Sequence, residues 1–422
     1  MNLKYGIDDS PKVGQLLLYS LQWFVLAIAV VTTSLFIAVG SPAEKVLYAQ
    51  KVFALVGFSI IFQVLWGHKM PIVMGPASVL LVGIIAALAS QGDMVNTNKI
   101  YTAVLLGGVA ITLLSLGRVL EHLQRIFTPR IVVVILMLIA FTLGPTIKNL
   151  IFPAGEEARH AFGLWFAILA VPFMALAAAK LRGVAKSLIV PAALLIGSIA
   201  YYIIYGGFGD VFARYTESEG ALLIPKLEFD GGIILAFVFC YIALLINDIG
   251  STQSLGAMLM TPDTDKRCRR GVGITGVMNM VAGAMGVIGP VNYSMSPGVI
   301  ASSSCASRYA LLPAGAGLIL CAFVPSLIAL FSALPHTVIG VILLYLMGQQ
   351  LAAALHMMTS DKSVVTFEDG LVVGLPIMVA LVFGIIPMGV IPSMLKPLIG
   401  NGFVMGVITV ILLEHIVFRK RK

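Results

Sequence analysis

The chain has 422 residues, of which 59% are hydrophobic and only 11% are charged, and its mean hydropathy is +1.02. This composition excludes a soluble domain, which needs a charged surface, and it indicates a helical protein that crosses a membrane several times. The formal net charge of +8 raises nucleic acid as a partner. The basic residues, however, cluster in connections between apolar runs, as the positive-inside rule predicts for cytoplasmic loops. We therefore expect contact with a lipid bilayer and none with nucleic acid.

The apolar runs of the first half lie near the ~20-residue length that crosses a bilayer as a helix. Predicted spans cover about 13–39, 52–66, 131–143, 164–181 and 187–205, with another ending near Gly117 and a segment interrupted by Gly and Pro at 69–90. The first apolar run is long enough to span, so no cleaved signal peptide is expected. A long polar connection, residues 206–230, follows these seven segments and is predicted to lie outside the cell.

The second half repeats the first in kind. One predicted span ends near Asn247, one begins near Gly271, an interrupted segment lies at 283–304, and four spans follow at 309–330, 338–355, 371–386 and 402–418. Seven segments on each side of a midpoint place the halves in opposite orientations. The sequence therefore predicts an all-α polytopic membrane protein of fourteen segments, in two inverted repeats at 1–205 and 231–422, with both termini in the cytoplasm.

The two interrupted stretches are the most informative part of the chain. Residues 283–304 read GAMGVIGPVNYSMSPGVIASSS, and residues 69–78 read KMPIVMGPAS. Proline lacks the backbone N–H and glycine is entropically unfavourable in a helix, so neither stretch is expected to form one unbroken helix. We predict in each an extended piece followed by a half-helix, whose first N–H groups point at a ligand. Paired interruptions in two halves mark the binding site of a transporter, whereas ordinary loops would carry more charge.

Ionisable groups within spans are few, and Asp248 is the clearest. It follows the apolar run 233–246 and precedes a polar face that includes Ser251. One interpretation is a substrate contact or proton carrier, since an apolar site favours the protonated form of a carboxylate. The other is an acid at a helix end, solvated by the cytoplasm. Gln22 and Asn247 occupy corresponding places in the two halves and could bind a planar polar solute or hydrogen-bond neighbouring helices.

Three side chains around the predicted half-helix start, Tyr293, Ser294 and Ser296, could donate hydrogen bonds to ligand carbonyls. Gln349 and Gln350 near a span end could have a functional role or could simply face water. The six histidines have no metal-ligand spacing, no phosphate-binding loop is present, and the four cysteines suit packing. We expect no cofactor, no metal site and no enzyme activity, and transport would be driven by gradients.

Several of these stretches together resemble the nucleobase/ascorbate transporter family, which includes bacterial uracil and xanthine permeases. The matching residues are SLQ at 20–22, MP at 70–71 through Gly75, INDIG at 246–250, and the stretch from Gly286 through Tyr293 to Gly298 and Ser303. The resemblance covers nearly the whole chain. It implies a core domain of segments 1–4 and 8–11, a gate domain of segments 5–7 and 12–14, and a substrate held where segments 3 and 10 meet as short strands with half-helices.

The resemblance also assigns site residues, with departures from the family pattern. The usual Gln-His of segment 1 is Gln22-Trp23 here. The substrate-binding acid of segment 8 falls on Asn247, and Asp248 takes the next place, about 100° around the helix.

In segment 10 the usual Glu or Gln falls on Met295 and the usual Asn on Ser296. Ser78 stands where the uracil permease stacks its base on a ring. The expected substrate-binding set is Gln22, Ser78, Asn247, Ser251, Tyr293, Ser294, Met295 and Ser296, with Asp248 coupling to protons.

These residues predict a secondary transporter in the inner membrane, which takes up a uracil-like or xanthine-like nucleobase with protons by alternating access. A second hypothesis is a carrier or channel-like facilitator for another small planar solute or anion, coupled to sodium or uncoupled. A non-transporting scaffold would have no polar cluster at bilayer depth. A homodimer through the gate domain is a further expectation.

Overall fold

The fold is almost wholly helical, as a computed structural model shows for residues 3–91, 95–117, 128–181, 184–216, 225–293, 296–360, 362–392 and 395–418. The elements of the first half are α1 (Val13–Thr32), α2 (Pro42–Leu65), β1 (Met74–Pro76), α3 (Ser78–Gln91), α4 (Thr97–Leu116), α5 (Pro129–Thr142), α6 (Gly144–Ile151), α7 (His160–Lys180), α8 (Val184–Ser187), α9 (Ile189–Tyr205) and α10 (Phe208–Thr216). Those of the second half are α11 (Gly231–Met258), α12 (Thr264–Met285), β2 (Pro290–Asn292), α13 (Ser296–Ser303), α14 (Leu311–Ala322), α15 (Pro325–Ser332), α16 (His336–Ser360), α17 (Phe367–Gly384), α18 (Lys396–Ile399) and α19 (Gly402–Leu412).

Among the described residues, eight helices are long and apolar enough to cross a membrane, or nine if one bent pair is a single span. Three shorter apolar helices, α3, α9 and α19, add to these. The chain is therefore a multi-pass membrane protein, while the count of fourteen segments stays a prediction.

Several predicted boundaries were wrong, for local reasons. Helix α2 begins at Pro42 rather than at 52, because Ser41 and Glu44 form a capping box around a proline in the first turn. Helix α12 begins at Thr264 rather than near 271. The predicted span 309–330 is two helices, α14 and α15, bent by 90° where Pro325 begins the second. The polar connection 206–230 contains the short helix α10.

The two interrupted stretches meet as a two-stranded antiparallel ribbon. Met74 pairs with Asn292, Gly75 with Val291 and Pro76 with Pro290, and each strand leads into a helix, α3 or α13. Hydrogen bonds around the ribbon satisfy backbone groups that a bilayer could not, because the N–H of Ala77 donates to Gly289 O at 2.9 Å and that of Tyr293 to Val73 O at 3.0 Å.

The helices around the ribbon pack in two groups. In the first, α4 packs on α12, α2 on α14, and α11 on α3, α4 and α12. Glycines bring these helices close: a Cβ on Gly57 would lie 2.6 Å from Gly315 O, and one on Gly276 would lie 2.7 Å from Thr112 N. In the second group, α16 packs on α5, α6 and α7, and α17 on α5 and α19. The ribbon belongs to the first group, and α5 and α16 of the second face it.

Candidate functional site

A cavity of about 180 Å³ lies between the two groups of helices. The first group contributes α1, the ribbon, the start of α3 and α11, and the second contributes α5 and α16. The polar side chains that line the cavity are Thr33, Ser34, Ser78, Asn247, Tyr293, Gln349 and Gln350. Aliphatic side chains such as Val30, Ile139 and Met347 complete the wall. A mostly apolar cavity with a few convergent polar groups is the usual form of a small-molecule site.

Three predicted site residues, Ser78, Asn247 and Tyr293, are brought together in this wall. Ser78 is the first residue of α3. The N–H groups of the first turn, which have no carbonyl partner within the helix, therefore lie beside it. The Asn247 side chain donates from Nδ2 to Asn292 O at 3.4 Å, which leaves its Oδ1 as a hydrogen-bond acceptor. Ser251, one turn further along α11, donates to the same carbonyl at 3.2 Å and lies behind Asn247.

Tyr293 places an aromatic ring at the end of the ribbon. Its hydroxyl donates to Pro76 O at 2.7 Å, which ties the ring to the opposite strand. Gly75 makes room for the ring, because a Cβ there would lie 2.9 Å from Tyr293 Cε2 and 2.5 Å from Val30 Cγ1. The ring therefore has a fixed position from which it could stack on a flat ligand.

Two other predicted residues lie outside the cavity wall. Gln22 is buried within α1, with 1% of its surface exposed. Ser296 is also buried, and its Oγ accepts from Val73 N–H at 3.0 Å and donates to Tyr293 O at 3.0 Å. Its hydroxyl thus fastens the start of α13 to the stretch before β1. Ser294 and Met295 lie outside the described residues.

Asp248 lies well inside α11, with 1% of its surface exposed, so the alternative of a solvated helix-end acid is wrong. Its side chain faces away from the cavity toward the backbone of β2, where Oδ1 accepts the Asn292 N–H at 3.2 Å. Its Oδ2 has no partner in hydrogen-bond geometry. Asn247 and Asp248 therefore both hydrogen-bond the backbone of Asn292, Asn247 at its carbonyl oxygen and Asp248 at its N–H.

Sequence reasoning missed Asn292 and the side chains behind it. Asn292 is fully buried, and His68, Gln63 and Thr275 are buried around it. In the sequence these residues are isolated polar positions within apolar runs. They follow no periodic pattern that would indicate that they lie together. Thr33 and Ser34, at the end of α1, were also missed.

A buried charge cluster joins helices of the second group. Arg130 at the start of α5 forms ion pairs with Asp369 of α17 and with Glu414, whose Oε2 lies 2.9 Å from Arg130 Nε. Both acids are buried, with 3% and 6% of their surfaces exposed. Among the described residues, no group of three His, Cys, Asp or Glu side chains could hold a metal ion.

Comparison with known proteins places the chain in a family. The model described as "Permease family", for xanthine and uracil permeases, matches residues 14–393. "Nucleobase transporter PlUacP" from Paenibacillus larvae is 24% identical over 400 residues, which cover 90% of this chain and 88% of that protein. "Uric acid permease PucJ" from Bacillus subtilis is 25% identical over 310 residues, 70% of this chain and 66% of that one.

Among solved structures, the transmembrane domain of the cyanobacterial bicarbonate transporter BicA superposes with a TM-score of 0.65 at 14% identity, covering 89% of this chain and 97% of that one. At this identity the likeness shows the fold alone. The family match extends over the ribbon, the cavity and every helix of the two groups except α19, so the chain belongs to the nucleobase/ascorbate transporter family of membrane permeases.

Proposed function

We propose that the protein is a secondary transporter that takes up a nucleobase, uracil-like or xanthine-like, across the plasma membrane together with protons. The observation that carries the proposal is the cavity at the ribbon, where Ser78, Asn247 and Tyr293 converge. The family membership and the names of the relatives, a nucleobase transporter and a uric acid permease, support this class of substrate.

The chemistry of the wall suits a flat ring with N–H and C=O groups on its edge. Asn247 Oδ1 can accept from a ring N–H, and the Ser78 hydroxyl with the start of α3 can donate to a ring carbonyl. On the facing helix α16, Gln349 donates from Nε2 to the Tyr345 hydroxyl at 2.7 Å and Gln350 donates to Leu136 O at 3.2 Å. Their Oε1 atoms are therefore left to accept, which favours a ligand rich in N–H groups.

The position of the cavity supports alternating access between a core and a gate. The first group of helices would form the core, which carries the substrate, and the second group would form the gate. The polar side chains of the site come from α11 and the ribbon on the core side and from α16 on the gate side. Movement of the core along the gate would therefore open the site to each face of the membrane in turn. The exposed apolar face of α7, with Trp165 and Phe173, is where a second copy would pack in the homodimer.

Proton coupling is assigned to Asp248, which acts through Asn292 because it does not line the cavity. This indirect position also favours the second hypothesis, a facilitator for a planar solute or anion that is uncoupled or coupled to sodium. Asp248→Asn separates them, because the amide is nearly isosteric with the protonated acid but cannot titrate. The variant should still bind and exchange substrate in proteoliposomes, yet lose accumulation driven by a pH gradient.

The decisive first experiment is a thermal-shift screen of purified protein against nucleobases, related heterocycles and small anions including bicarbonate. A ligand that binds the folded state raises the apparent melting temperature. We expect a shift with a nucleobase, reduced in Asn247→Ala and kept in Asn98→Ala, a matched change far from the cavity. A shift with bicarbonate alone would refute the nucleobase proposal.

A further inference from the structure

Behind the ribbon lies a buried polar cluster that the cavity does not use. It consists of Gln63 from α2, His68 from the stretch before β1, Asp248 from α11, Thr275 from α12 and Asn292 from β2, each no more than 1% exposed. Buried polar side chains in a membrane protein are energetically unfavourable unless they are hydrogen-bonded. Each side chain of the cluster is therefore expected to have a hydrogen-bond partner. Two atoms of the cluster have no partner, Asp248 Oδ2 and Asn292 Nδ2.

The first chain of hydrogen bonds starts at a backbone N–H. Met70 N–H donates to His68 Nδ1 at 3.0 Å. A backbone N–H can only donate, so Nδ1 is an acceptor, and the neutral ring must carry its proton on Nε2. His68 Nε2 lies 3.3 Å from Asn292 Oδ1 and therefore donates to it. This fixes the Asn292 amide with Oδ1 toward His68 and Nδ2, the unpartnered donor, beside the Asp248 carboxylate.

The second chain starts two residues earlier and runs in parallel. His68 N–H donates to Gln63 Oε1 at 3.3 Å, so Gln63 Nε2 is the donor end of that amide. Nε2 donates to Gly271 O at 2.9 Å and to Thr275 Oγ1 at 3.0 Å. Thr275 therefore accepts through its oxygen, and its one hydroxyl proton is free to point at Asp248, beside which it lies.

Both chains end in hydrogen-bond donors that face the same carboxylate. The Asn292 N–H already donates to Oδ1, Asn292 Nδ2 and the Thr275 hydroxyl lie beside the carboxyl group, and Oδ2 has no hydrogen-bond partner. A metal cation needs oxygen lone pairs from several ligands. Here the Asn292 N–H and Nδ2 present hydrogen atoms, and one lone pair of the Thr275 hydroxyl already accepts from Gln63 Nε2. A carboxylate among donors can take up or release a proton with no other change than rotation of a hydroxyl group.

We infer that these two chains of hydrogen bonds make Asp248 a proton site and exclude sodium from it. The inference rests on the proposed coupling and names the groups that set the coupling ion: Gln63, His68, Thr275 and Asn292. In the described part of the chain, Cys268 of α12 lies near the carboxylate and Arg267 of the same helix lies near His68. Arg267 Nη1 donates to Lys69 O at 2.8 Å and to His68 O at 3.3 Å, and so holds the stretch from which both chains begin.

The test is an infrared titration of purified protein without substrate, which follows the C=O stretching band of a protonated carboxyl group. We expect a titrating band in the wild type that is missing in Asp248→Asn. Thr275→Val removes one hydrogen-bond donor to the charged carboxylate, so the midpoint should move to higher pH by about one to two units. The matched control is Thr252→Val, because Thr252 is equally buried but its hydroxyl donates to the Asp248 backbone O at 3.0 Å.

The exclusion of sodium is tested on the wild-type protein. Replacing choline chloride by sodium chloride should leave the wild-type midpoint unchanged, whereas a sodium ion bound at Asp248 would compete with the proton and lower it. A sodium-dependent midpoint, or an unchanged midpoint in a folded Thr275→Val protein, overturns the inference. If Thr275→Val does not fold, His68→Leu tests the other chain, since it frees the Asn292 amide to turn Oδ1 toward the carboxylate. Because no substrate is present, a failed nucleobase screen would refute the proposed function without affecting this result.

Discussion

Gly75 gives the sharpest test of how the ribbon shapes the cavity. In Gly75→Ala the new Cβ would lie 2.5 Å from Val30 Cγ1 and 2.9 Å from Tyr293 Cε2. Carbon atoms pack best at about 3.5–4.0 Å, so Val30 and the Tyr293 ring would have to move apart from the strand by about 1 Å. The ring cannot move freely, because its hydroxyl is bonded to Pro76 O at 2.7 Å.

Overpacking of this kind destabilises a protein by about 1–3 kcal/mol. If the ring is displaced from the cavity wall, substrate affinity should fall about tenfold for each ~1.4 kcal/mol of contact that is lost. The assay is thermal unfolding of the purified protein, with and without the substrate identified by screening. We expect a lower melting temperature and a Kd raised by about tenfold or more.

Two further variants make the test specific. Gly250→Ala is the matched control, since a Cβ at Gly250 meets nothing within 4 Å, and alanine favours a helix by roughly 1 kcal/mol. Val30→Ala removes the nearer of the two obstacles, so Gly75→Ala with Val30→Ala should recover part of the stability that the single change removes. Wild-type stability and affinity in Gly75→Ala would refute the reasoning.

Three other predictions follow from the same contacts. Arg130→Met should lower the free energy of unfolding by about 3–5 kcal/mol, because two buried carboxylates lose their cation, whereas Arg159→Met, which breaks an exposed pair, should change it by less than about 1 kcal/mol; equal melting temperatures would contradict this. A cysteine at Glu157 should be labelled from outside the cell and one at Asp263 only from inside, and labelling of both from one side would exclude the inverted arrangement. Tyr293→Phe should weaken substrate binding severalfold without loss of folded protein in detergent, as the ring stays but its bond to the opposite strand is lost; unchanged affinity would show that this bond does not position the ring for binding.

Much of the architecture follows from local chemistry. Gly and Pro in two otherwise apolar stretches predict an interruption, and the structure has a short strand before a helix in both. Apolar runs of the length of a bilayer predict the spans. The errors are at boundaries, where capping at Ser41 and the break before Pro325 decided the helix ends.

For the site, the sequence predicts which residues are polar, whereas the folded structure decides which of them face the cavity. The identity of Asn247, Asp248 and Tyr293 as polar residues in apolar surroundings could be read from the sequence, and so could the 100° between the first two. Which of them faces the cavity could not, because that depends on how α11 is rotated against β2. Asn292, His68 and Gln63 come from three separate elements, and only tertiary packing brings them together. The polarity of their hydrogen bonds, set by two backbone N–H groups before β1, exists only once the chain is folded, because a backbone donor fixes the orientation of a side chain only when it is within hydrogen-bond distance.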